Sequence, residues 1–174
     1  MCRWIAYRGD TIALESYVTE PSHSLVAQSM HAFESTAALN GDGFGLGWYG
    51  EHPEPGLYRE LRPAWSDENL RHLCRHLRSH LFFAHVRATT GTAVTRTNCH
   101  PFACGPWLFM HNGQIGDWSL IRRRVEALIP DNLYKATLRG DMIDGRGFVK
   151  SSMAGGVETK KGRPAASFDL DLDA

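Results

Sequence analysis

The chain has 174 residues, 43% apolar and 22% charged, which suits one ordinary globular domain with a substantial core. Nineteen basic and nineteen acidic side chains cancel to zero, which excludes the global field that would gather nucleic acid or an anionic membrane. No apolar run approaches the roughly 20 residues that span a bilayer, no signal-peptide pattern opens the chain, and four irregularly spaced cysteines make no disulfide framework, so a cytoplasmic protein with free thiols is expected.

Cys2 to Tyr7 reads as a short strand closed by a turn at Arg8-Gly9-Asp10. From Ser22 the apolar residues Leu25, Val26, Met30, Phe33 and Ala37 recur at helical spacing until Asn40-Gly41 stops them. The stretch NGDGFGLGWYG then alternates glycine with Phe44, Leu46 and Trp48, a strand with one nearly bare face. That face is expected either to pack closely against a helix or to stay open for a substrate. Leu57 to Leu61 reads as a paired strand, and Ser66 as the cap of a helix carrying Leu70, Leu73 and Leu77. LFFAHVRATTG, HPFACG and PWLFMHNGQI read as three further strands. Asp117 reads as the cap of a helix with Trp118, Ile121, Val125, Leu128 and Ile129 on one side. This order predicts an α+β domain with a mainly antiparallel sheet. Beyond Leu138, six glycines and scattered charge show no period of two or 3.6, and residues 140–174 are expected to form a disordered tail.

The chemistry starts at the amino terminus. Once Met1 is removed, Cys2 carries its own base, because an α-amine with a reference pKa near 8 can take the proton of a thiol near 8.5. Such a nucleophile needs oxyanion donors and a grip on its substrate. Asn112 and Gly113 in HNGQ offer a side-chain amide and an unobstructed backbone N–H, and Arg87 in HVRATTG offers a planar fork for a carboxylate beside Thr89 and Thr90.

Cys2, NGDGFGLGWY, HVRATTG, NCHPF and FMHNGQI, in that order, resemble the type 2 (class II) glutamine amidotransferase domain, an N-terminal-nucleophile hydrolase. The likeness is to the small stand-alone branch that includes ergothioneine-pathway and glutathione-degrading amidases. It covers residues 2–139 and implies a four-layer αββα sandwich. It also implies attack of a cysteine thiolate on the γ-carbonyl of glutamine or a γ-glutamyl compound, a thioester intermediate, and no cofactor. By position, Cys2 becomes the nucleophile, Asn112 and Gly113 the oxyanion hole, Arg87 the holder of the α-carboxylate, and Thr90 a residue lining the substrate. The 25 residues from Arg87 to Asn112 fit neighbouring strands that bring both to one sheet end. Relatives continue with an acidic motif for the substrate amine. Here Arg139-Gly140-Asp141 leads instead to Met142, Ile143 and Asp144, so the sandwich is expected to be incomplete, truncated at its carboxyl end and prone to self-association through an uncovered sheet.

Two other readings compete. One is a non-catalytic fragment of such an enzyme. The other is a zinc module using His72, His76, Cys99 and Cys104, although the Cys99–Cys104 gap fits no common ligand spacing. His100 and His111 read as groups that orient loops or pack, ahead of any role as bases.

Overall fold

The computed structural model describes residues 2–31, 41–88, 94–112 and 117–131. A four-stranded sheet in the order β1-β4-β2-β3 is built from β1 (Arg3–Ala13), β2 (Phe44–Trp48), β3 (Gly56–Glu60) and β4 (Arg78–Val86). A second, two-stranded sheet pairs β5 (Phe102–Cys104) with β6 (Trp107–Phe109). Every ladder among the described residues is antiparallel, as the sequence predicts. The helices are α1 (Glu15–Val18), α2 (Leu25–His31), α3 (Glu68–His76) and α4 (Trp118–Glu126). None of them is long and apolar enough to cross a membrane.

Strand alternation sorts the large sheet into two faces. Phe44 and Leu46 of β2 lie opposite Val86 and Ala84 of β4, so their side chains share one face. There they meet Leu14, Val18, Leu25, Val26, Leu70 and Phe82 in a core under α1, α2 and α3. Phe44, Leu46 and Phe82 are almost fully buried, each stabilising the fold by about 1.5–3 kcal/mol on transfer from water.

The opposite face is the glycine face. A methyl group on Gly45 would run into the His100 carbonyl, and one on Gly47 would lie 2.7 Å from both Pro101 and Leu108. The bare stripe is therefore neither packed on a helix nor open: it is filled by the His100 backbone, the Pro101 ring and Leu108 of β6, in the second sheet layer. Leu108 N–H also donates to the Tyr49 hydroxyl at 3.0 Å across the same interface.

Several local readings change. The Arg8-Gly9-Asp10 segment is no turn, because β1 runs on to Ala13 with a register shift between Arg8 and Ile12, and Tyr7 bonds the Asp10 carbonyl at 2.9 Å. Asp67, not Ser66, caps α3: its carboxylate accepts from Leu70 N–H at 2.7 Å and also from the Tyr58 hydroxyl. Asp117 stands at the start of α4 with φ of 51° but makes no side-chain cap bond, and Leu128 is 67% exposed while Ile129 is buried. Met30 is likewise half exposed, off the α2 stripe. The expected continuation of α2 through Phe33 and Ala37 lies outside the described residues, as does the tail from 140 to 174.

Candidate active site

Cys2 stands immediately before β1, and Arg3 pairs with Val86 at the end of β4. This register sets Cys2 beside Ala88, two residues beyond β4. The Ala88 N–H points at Cys2 Sγ at 3.3 Å, and the thiol lies 3.5 Å from the Ala88 carbonyl. From the other layer, Asn112 Nδ2 donates to the Cys2 carbonyl at 3.0 Å. Residues 86 and 110 positions distant in sequence thus close around one cysteine.

Arg87 and Asn112 reach this place by a route the sequence reading does not anticipate. They are not on neighbouring strands of one sheet. Arg87 follows β4 in the large sheet and Asn112 follows β6 in the small one, so the site lies where the two layers meet. Arg87 is only 5% exposed. Its backbone is clamped by Arg87 N–H to Gly43 O at 2.8 Å and Asp42 N–H to Arg87 O at 3.3 Å. Thr90 and Gly113 lie outside the described residues.

Two of the other thiols, Cys74 and Cys99, are buried while Cys2 is partly exposed. Burial pushes Cys74 up to about 12, helped by the negative charge of Glu15. Burial also raises Cys99, against the opposing pull of Arg87 and Arg59. Both are fully buried and held as neutral thiols.

The zinc reading fails on placement. His72 and His76 are exposed on α3, in the helix layer on one face of the large sheet, while Cys99 is buried against the other face beside Gly43. No group of three or more His, Cys, Asp and Glu side chains is gathered as metal ligands would be among the described residues.

A histidine cluster lies beneath the site. His100 Nδ1 is 3.1 Å from His85 Nε2, and its ring stands edge-on to His85, Phe102 and His111 at 4.4–4.5 Å between centroids. Burial is the main force lowering His85 to about 3, followed by the charges of His111 and Arg87. The His111 backbone pulls weakly the other way, although His85 Nδ1 makes no full hydrogen bond. His100 falls to about 2, again chiefly from burial, then from His85, His111, Arg87 and Arg59. Neutral His100 fits packing and orientation rather than a base. His85 and the Ala88 N–H are absent from the sequence reading. Strand parity offered a signal for His85, which shares a face with Arg87 at i, i+2.

Residues 14–127 match the sequence model described as "Glutamine amidotransferases class-II". The Saccharomyces cerevisiae protein named "Probable glutamine amidotransferase DUG3" is 38% identical over 140 residues, 75% of this chain and 39% of its own length. The gamma-glutamyl-hercynylcysteine sulfoxide hydrolase of Mycobacterium tuberculosis is 34% identical over 117 residues, 66% of this chain and 50% of its own. Among solved structures, a class II glutamine aminotransferase domain protein from Silicibacter pomeroyi superposes with a TM-score of 0.51 at 39% identity, over 76% of this chain and 46% of that one. The chain therefore spans half or less of these relatives' own length.

Proposed function

Since the chain belongs to the class II glutamine amidotransferases, we propose that it hydrolyses the γ-amide of glutamine or of a small γ-glutamyl compound, with Cys2 as nucleophile. The Cys2 thiol gives its proton to its own α-amine, freed by removal of Met1, and the thiolate attacks the γ-carbonyl. Asn112 and Gly113 donate to the oxyanion. The amine proton passes to the leaving ammonia or amine, a γ-glutamyl thioester remains, and water releases glutamate. Arg87 engages the α-carboxylate and Thr90 flanks it.

The observation that supports this most is the convergence on Cys2: a backbone N–H at 3.3 Å from its sulfur, next to Arg87, and the Asn112 amide at 3.0 Å from its carbonyl. An NH₂ group carries two hydrogens, so the bond to Cys2 leaves Asn112 a second donor for an oxyanion. The names of the relatives span glutamine and γ-glutamyl substrates, which places the substrate class of this reading at the γ-glutamyl amide. In this reading residues 2–139 form the amidotransferase domain. Four free thiols suit work in the cytoplasm. Trp4, half exposed on the edge strand β1, suits self-association.

The test is covalent labelling of the purified full chain. An electrophilic glutamine analogue should modify Cys2 alone, Cys2→Ala should release no glutamate, and intact mass should show Met1 removed. Labelling of Cys99 or Cys104 instead would move the active site elsewhere. Full retention of Met1 in an active preparation would rule out the self-activated cysteine. No labelling and no turnover would favour the non-catalytic fragment.

A further inference from the structure

Three segments supply the site: the end of β4 with Arg87 and Ala88, the start of β1 with Cys2, and the stretch after β6 with Asn112. Each of the two segments that close on Cys2 carries a histidine beside its proposed functional residue, the buried His85 two residues before Arg87 and the partly buried His111 directly before Asn112. His100 stands between them, bonded to His85 through Nδ1 and packed edge-on against His111.

We infer that His100, bonded to His85, is a positioning residue that sets Asn112 against Cys2 through the His111 ring. The inference rests on the assignment of Cys2 and Asn112 above. Its physical basis is geometric. A neutral pair has one proton for the Nε2···Nδ1 contact, so one ring donates and the other accepts, which fixes the tautomers and limits the relative orientation of the rings. A leucine pair of similar volume would fill the space without that constraint. The His100 ring also touches Phe102, the first residue of β5, so β4, β5 and the stretch after β6 are all referenced to one imidazole. Keeping a buried imidazole here has a cost, since His100 Nε2 finds no hydrogen-bond partner among the described residues. Orientation supplies a reason for the cost: misplacing a catalytic donor by about 1 Å can slow an enzyme by roughly 10²-fold.

The experiment compares His100→Ala, which removes the strut, with His100→Asn, whose short amide leaves a polar atom near the Nδ1 position. Both are made in the full chain and again in an Asn112→Ala background. In the native background His100→Ala should lower kcat for glutamine at least about 10-fold with KM within about threefold, and His100→Asn should recover most of the loss. In the Asn112→Ala background, which itself should lose roughly 10²–10³-fold in kcat, the same change should add less than about twofold. Equal losses in both backgrounds, or no rescue by Asn, would overturn the inference and leave His100 as packing. Should His100→Ala fail to fold, His85→Leu against His85→Gln makes the same comparison from the other ring. The Asn112 side-chain amide resonance, assigned by its loss in Asn112→Ala, gives a reading independent of turnover. It should move in His100→Ala and return in His100→Asn, and an unmoved resonance would refute the link even in a chain with no glutaminase activity. Iodoacetamide labelling of Cys2 should be unchanged throughout.

Discussion

Replacing Gly45 by alanine tests the packing of the two sheets directly. The added methyl falls inside contact distance of the His100 carbonyl oxygen, 3.1 Å from the His100 carbonyl carbon and 2.9 Å from Arg59 Cγ. The arginine stem can swing away. The His100 backbone cannot do so cheaply, because the His100 ring is bonded to His85 and wedged among Phe102 and His111. The layers must separate, at an overpacking cost of about 1–3 kcal/mol, against which alanine recovers about 0.4–1 kcal/mol from the unfolded chain. A net loss of about 1–2 kcal/mol is expected in urea unfolding. At Gly47 the clash is with the Leu108 side-chain end and Pro101, and Leu108 can turn, so the loss should be smaller. At Gly50 no atom lies within 4 Å, so Gly50→Ala should be near neutral. Gly45→Ala unfolding at or above the native midpoint, or no worse than Gly50→Ala, would refute the close sheet contact.

Acid should weaken the fold through the same histidines. An unfolded histidine titrates near 6.5, whereas burial, with Arg87, Arg59 and His111 facing the pair, holds His85 and His100 far lower. Their contribution is complete above pH 6.5 and falls on acidification towards 3 by about 1.4 kcal/mol per pH unit for each ring. Urea midpoints compared at pH 6.5 and pH 5 check this, and a flat profile would contradict it. Arg87→Lys keeps the charge but loses the two-pronged geometry, so KM for glutamine should rise at least about 10-fold while kcat changes little; steady-state kinetics decide, and an unchanged KM would remove Arg87 from the carboxylate site. Asp67→Ala removes the α3 cap and leaves the Tyr58 hydroxyl without its acceptor; unfolding should show a loss of about 1–2 kcal/mol, and no loss would contradict the cap.

Much of this molecule is written locally. The period-two pattern of β2, the pairing of β3 with it, and the strands β4, β5 and β6 follow from alternation and from glycine and proline punctuation, signals carried by neighbours in the chain. The chemistry is legible in the same way. A cysteine at position two is informative only beside RATTG and HNGQ, and those short motifs are read without knowing where they meet. Errors cluster where local rules compete: Ser66 and Asp67 are both good caps, and only the path of the chain through the short turn before α3 selects Asp67.

What alternation cannot say is which surface covers a face. The stripe of Gly45 and Gly47 predicts close approach of something, yet whether that is a helix, a substrate or another sheet depends on residues 100–108, more than fifty positions away. The same holds for the site. Arg87 and Asn112 come from different sheets, so their meeting depends on how the layers stack, a non-local property. His85 shows the limit most clearly: in the sequence it is one histidine in a strand, and only the fold brings it within 3.1 Å of His100. Sequence alone determined most of the elements and which groups could react, because propensity and bond chemistry act within a few residues. Tertiary structure alone decided their convergence on Cys2, because packing acts between segments that the chain order leaves far apart.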